Sequence, residues 1–285
     1  MPTTLPCRPI RAAFLALGLA LGLPAMAEEA ETIDPGAFLA ARVAASHADY
    51  AAGAEWYARA LLTDPGNPAL LEGAILSNIG LGEFGPAATM ARALAESGTE
   101  SQVGYLALLI DSLVAEDYAG VIERSADGVA KGALLDTLVT AWAEAGLGRM
   151  SEATETFDKL TRSPEMAAFG LYHKALALAS AGDFEGADAI FADKASGVLQ
   201  QMRRGVLAHV RILSQLERNA DAIKLLDASF VGDPDPELAD LRRRLEAGEP
   251  LAFDMVTTAR DGMAEVFYTL AMALGQESEI GRAHV

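Results

Sequence analysis

One turn signature recurs along the 285-residue chain at a nearly fixed interval, and it limits the fold more than any other feature. An acidic or polar residue is followed by an aromatic residue or Met and, after two further residues, by a small residue that opens a helix. The copies are Asp49-Tyr50 with Gly53, Glu83-Phe84 with Ala87, Asp117-Tyr118 with Val121, Arg149-Met150 with Ala153, and Asp183-Phe184 with Ala187. Asn219 with Ala222 is a degenerate sixth. From Tyr50, the steps to Phe84, Tyr118, Met150, Phe184 and Asn219 are 34, 34, 32, 34 and 35 residues. A period near 34 is that of tandem helix–turn–helix units. Such a unit cannot bury its apolar face alone and must stack on its neighbours. Ala-rich segments with few β-branched alternations point the same way, to an all-α fold.

Other positions repeat with the turn. The first unit carries Ala41, Gly53, Tyr57, Ala60 and then Asp64-Pro65; the second carries Gly82, Ala87 and Leu94; the fifth carries Ala175, Gly182, Ala187 and Phe191; Asp233-Pro234 closes the sixth. The third departs most, with Arg124 where an apolar residue is expected. With these residues the chain resembles the tetratricopeptide repeat family from about Phe38 to Pro234. It is similar to exported alphaproteobacterial members of unknown function, in composition and in the Ala264 to Ala271 unit. The resemblance implies a right-handed α-solenoid of tandem helix–turn–helix repeats. It also implies a concave surface lined by the first helix of each repeat. Some members clamp a carboxylate there with a Lys/Asn/Arg cluster; the matching positions here are largely apolar, so that activity is not carried over. Function resides in the site grafted on such a fold, not in the fold itself.

The chain divides into four parts. Residues 1–27 read as a secretory signal: Arg8 and Arg11 precede an uncharged apolar run from Ala12 to Leu23, and Pro24-Ala25-Met26-Ala27 matches an A-x-A cleavage site. The run is short for a membrane span. Residues 34–235 are the repeat array of about six units. Residues 236–279 hold a further charged helix with Arg242, Arg243 and Arg244, and an incomplete repeat whose stripe is Ala264, Phe267, Leu270, Ala271 and Leu274. The six residues 280–285 abandon the pattern and read as a non-native tail. A half repeat leaves an apolar face uncovered, so the natural protein is expected to continue as further repeats.

Beyond the signal there is no cysteine, which removes disulfides, thiol nucleophiles and thiolate metal sites. Export without disulfides fits a bacterial periplasm. Losing Arg8 and Arg11 leaves 20 basic residues against 40 acidic ones, a net charge near −20. That acidity opposes nucleic acid and anionic membrane surfaces.

No known catalytic pattern is present. His47, His173 and His209 form no metal-ligand spacing and are read as helix-surface or interface residues. Neither a phosphate-binding G-x-x-x-x-G-K-[ST] loop nor a G-x-S-x-G elbow occurs. The Arg203-Arg204 pair and the Arg242–Arg244 run read as partners of nearby acids. No cofactor or metal is expected. The candidate site is the concave stripe, Leu106, Ile110, Leu138, Trp142, Tyr172 and Leu176, an apolar and aromatic groove for a partner's helix or extended segment. The leading expectation is a non-catalytic periplasmic scaffold, in envelope or secretion-system assembly. The alternative is the helical superstructure of a larger envelope enzyme, similar to some lytic transglycosylases, whose catalytic domain follows residue 279.

Overall fold

The computed structural model describes residues 35–126, 133–193, 202–232 and 235–283, and among them every regular element is a helix. Six helical hairpins follow one another: α1 (Pro35–Ser46) with α2 (Tyr50–Leu61), α3 (Pro68–Leu81) with α4 (Phe84–Glu96), α5 (Gln102–Val114) with α6 (Tyr118–Ala126), α7 (Ala133–Gly146) with α8 (Met150–Leu160), α9 (Pro164–Ser180) with α10 (Phe184–Ala192), and α11 (Arg203–Gln215) with α12 (Asn219–Ser229). Then come α13 (Pro236–Glu246) and α14 (Ala259–Ala283). The second helix of each hairpin starts on the residue that the turn signature marks. The signal segment and Asp233-Pro234 lie outside the described residues.

The same joint closes all six hairpins. Ala48, Gly82, Glu116, Gly148, Gly182 and Glu217 sit in the left-handed region, with φ between 55° and 87°. The next residue returns its N–H to a carbonyl five positions back: Asp49 to Ala44 (3.0 Å), Glu83 to Asn78 (2.9 Å), Asp117 to Ser112 (2.9 Å), Arg149 to Glu144 (2.9 Å), Asp183 to Leu178 (2.9 Å) and Arg218 to Leu213 (2.9 Å). This is the Schellman closure, which satisfies the otherwise orphaned C-terminal carbonyls. That same residue begins the second helix. Where it is Asp, its side chain accepts an amide of the new first turn: Ala52 at Asp49 (3.1 Å), Gly120 at Asp117 (3.0 Å) and Gly186 at Asp183 (2.9 Å). One residue pair thus stops one helix and starts the next, which is why the signature is so short.

Small residues at the fourth helical position let the helices close up. Gly53, Ala87, Val121, Ala153, Ala187 and Ala222 are all buried. A Cβ on Gly53 would stand 2.7 Å from Ser77 Oγ in the next repeat. Tyr57 lies across Gly73 so closely that a Cβ there would be 2.2 Å from its ring. First helices also meet across repeats, α1 on α3, α3 on α5, α7 on α9 and α9 on α11, while successive second helices do not to a comparable extent. The first-helix side is therefore the inside of the curve.

The C-terminal region departs from the sequence expectation. After α13 the chain does not stack another repeat. Residues 247–258 fold back over α11, where Leu251 N–H donates to Ser214 Oγ (2.8 Å) and Gln215 Nε2 donates to the Leu251 carbonyl (2.6 Å). Leu251 and Val256 are buried there. Thr258 and Asp261 cap each other at the start of α14, with Asp261 N–H donating to Thr258 Oγ1 (3.1 Å) and Thr258 N–H to Asp261 (3.0 Å). Helix α14 then packs on α7, with lesser contacts to α9 and α5. It lies against the first helices rather than beyond the last repeat. Its buried stripe is Met263, Val266 and Thr269, whereas Ala264, Ala271 and Leu274 of the expected stripe are exposed.

Candidate functional site

The inner face is a ladder of equivalent positions, one pair per repeat. Phe38 and Arg42, Glu72 and Leu76, Leu106 and Ile110, Leu138 and Trp142, Tyr172 and Leu176, and Leu207 and Arg211 occupy it in order. The six groove residues expected from sequence fall on this face, and α14 divides them. Leu106 and Ile110 stay partly exposed, continuous with Leu76, which is 51% exposed. Leu138, Trp142, Tyr172 and Leu176 are at most 1% exposed. As open groove lining, those four are corrected: they belong to the core. The reason is that α14 lies over them.

The seat of α14 is specific rather than merely apolar. Gly262 meets the face of Trp142, and a Cβ there would fall 2.3 Å from the indole. Trp142 also packs edge-on against Phe157, with ring centroids 5.9 Å apart. Trp142 Nε1–H donates to His173 Nδ1 at 3.1 Å. Since indole N–H can only donate, Nδ1 must accept, and the neutral ring carries its proton on Nε2. That nitrogen faces Thr269 Oγ1 at 3.2 Å, and the Thr269 hydroxyl donates onward to the Glu265 carbonyl at 3.0 Å. Each group in this buried relay has one consistent role. Burial holds the His173 imidazolium far down, to about 3, so the ring is neutral.

A second relay lies one turn away. Glu265, 5% exposed, accepts Tyr172 O–H at 2.9 Å and the Arg204 guanidinium in a fork, with Nε at 2.7 Å. A buried carboxylate needs such donors, because leaving it unpaired costs several kcal/mol, of the order of 3–5. Burial and then the Glu265 charge push the Tyr172 hydroxyl well above the phenolic range. The hydrogen bond to Glu265 holds Arg204 above the usual guanidinium value. Arg204 also sits 4.6 Å from the Tyr268 ring centroid, completing the clasp.

Sequence reading missed Gly262, Glu265 and Thr269, and it left His173 without a role. Only Arg204 carried a usable signal, as a cation seeking an acid. The other expected pairings are present: Arg203 with Asp235 and Glu237, Arg242 with Asp227 and Glu246, Arg243 with Asp240, and Arg244 with Glu249. Among the described residues, no group of three or more His, Cys, Asp or Glu is placed to hold a metal ion. No described helix is long and apolar enough to cross a membrane.

Comparison with known proteins adds a likeness of fold. The chain is similar to a solved thermophilic TPR protein from Thermus thermophilus, at 17% identity over 75% of this chain and 97% of that one, with a TM-score of 0.32. A superposition that loose carries no argument here; the repeat architecture rests on the six identical joints and the order of the helices. No family model and no curated protein matches the chain.

Proposed function

We propose that this protein is a non-catalytic interaction scaffold that holds a helix or extended segment of a partner protein on the open part of its inner face, around Leu76, Leu106 and Ile110. The observation that supports this is α14 itself. The same face, two repeats further on, already receives a helix through side chains of the first helices. Where α14 stops covering it, the ladder runs on through Ile110, Leu106 and Leu76, which are partly or largely exposed, with Glu72 and Arg42 beside them. A surface of this kind suits an amphipathic helix laid in a groove. We further propose that the chain is exported and works in the bacterial periplasm, in envelope or secretion-system assembly; the basic, apolar and A-x-A order of residues 8–27 supports export.

The groove is tested by placing a photo-crosslinking residue at Leu76, and another at Leu62, which is 83% exposed at the end of α2. Leu76 is expected to capture one defined protein that Leu62 does not, and Ile110→Asp should abolish the capture without lowering the melting temperature. Identical products from both sites would refute the proposal. Export is tested by mass spectrometry of periplasmic material, which should begin at Glu28; intact Met1-containing protein in membranes would refute it.

A further inference from the structure

The repeats differ at one packing position, and the difference leaves a hole. Seven residues into each second helix stand Tyr57, Ala91, Ser125, Phe157, Phe191 and Leu226. Tyr57, Phe157, Phe191 and Leu226 are at most 4% exposed and plug the space beside the following first helix. Ala91 is buried too, but it is too small to plug anything. Beside it, between α4, α5 and α6, a cavity of about 170 Å³ opens, walled by Ala91, Leu94, Ala95 and Leu108. It is open on one side, since Ala95 is exposed and Thr99, Leu108 and Arg124 are half-buried, and its volume suits a body about the size of a benzene ring.

Most polar groups on the rim are already engaged. Tyr105 O–H donates to Asp136 (2.7 Å). Ser101 Oγ donates to Glu72 (2.6 Å) and accepts Gly104 N–H (3.1 Å). Thr99 Oγ1 pairs with Ser97 Oγ (2.9 Å). Arg124 is different. Its Nε is enclosed without a partner, and among the described residues its guanidinium makes no hydrogen bond or ion pair. The exposed Arg42, Arg149 and Arg162 also lack an ion pair among the described residues, but none of them has an enclosed nitrogen as Arg124 does. In Arg124 only Nε is enclosed, and the rest of the part-exposed guanidinium stands at the mouth of the pocket, where a carboxylate would give that nitrogen the partner it lacks.

We propose that this cavity is a binding site for a small monocarboxylic acid with an aromatic or branched aliphatic body. The body takes the volume that Tyr or Phe fills in other repeats. The carboxylate pairs with Arg124. The site is separate from the inner-face groove, and binding there would join α4 to α6 through the ligand.

The test uses the full chain and phenylacetate as probe, followed by ligand-observed NMR and calorimetry. Phenylacetate should bind at millimolar concentration or below and raise the melting temperature. Its uncharged amide should bind about tenfold more weakly, and Arg124→Gln should weaken phenylacetate by about the same factor without changing the amide. Ala91→Phe, which restores the plug of the other repeats, should abolish binding of both while preserving helicity. If that variant unfolds, Ala91→Val serves, with a partial loss expected. The proposal is overturned if folded wild-type protein shows no saturation transfer to phenylacetate. It is equally overturned if a folded Ala91 variant binds as wild type does.

Discussion

Leu76 of α3 and Trp142 of α7 occupy the same position within their repeats, two units apart. The first is 51% exposed and the second 1%. Their local sequences do not explain this, since both sit on first helices of similar apolar character. The cause is distant in the chain: α14 lies on α7 and barely reaches α5. The comparison teaches that in a repeat array a residue's place in the repeat sets its face, while its burial depends on what else covers that face. Repeats one to three have an open inner surface; repeats four to six have a sealed one.

The largest expected contrast follows from this. Trp142→Ala should cost about 3–5 kcal/mol of unfolding free energy, because it empties a filled site and strands the His173 acceptor. Leu76→Ala should cost under about 0.5 kcal/mol. Urea unfolding measures both, and similar small losses would mean that α14 is not seated where it is described. Next is Gly262→Leu, which forces a side chain into the indole. It should destabilise by about 2–3 kcal/mol and shift tryptophan emission to the red as α14 lifts. An unshifted spectrum would break the proposed seal.

A third test uses pH. The folded state keeps His173 neutral down to about pH 3, whereas the unfolded ring protonates near 6.5. The unfolded chain therefore binds more protons in this window. The stability from neutral His173 is complete above about 6.5 and lost as pH falls toward 3, by up to about 1.4 kcal/mol per pH unit. Subtracting the curve of a His173→Gln variant removes the carboxylates that both proteins share, and a flat difference would contradict the burial of His173. The smallest effect is a control. Ala48→Gly in the open half and Glu217→Gly in the sealed half should each gain about 0.5–1 kcal/mol, because both relieve a left-handed residue in the same joint. Unequal gains in calorimetry would show that the halves differ in the repeat itself.

The helical hairpins were legible because their instruction is local. Asp49, Asp117 and Asp183 cap within three residues, and Gly82, Gly148 and Gly182 mark the turns. Spacing put Leu106 through Leu176 at equivalent places on the first helices, and the family resemblance supplied the expectation of a concave face; neither said which of them are covered. The seal was not legible. Glu265 and Thr269 look like solvent residues on any helical projection, and their burial depends on Tyr172, Arg204 and His173, between 61 and 96 residues away. A stripe drawn through Ala264, Ala271 and Leu274 therefore included the exposed side of the helix, although Phe267 and Leu270 of the same stripe do pack on the core.

The three residues through which α14 grips the array, Gly262, Glu265 and Thr269, carry a further consequence. They are fixed to one another by helix pitch, and each meets a different rigid partner. An insertion of one residue between 262 and 269 would rotate everything after it by about 100° and slide it by about 1.5 Å. The contacts beyond the insertion would then fail together. On the outer side, Ala264 and Ala271 are exposed. Substitution should thus be tolerated at such positions, while no change in length should be.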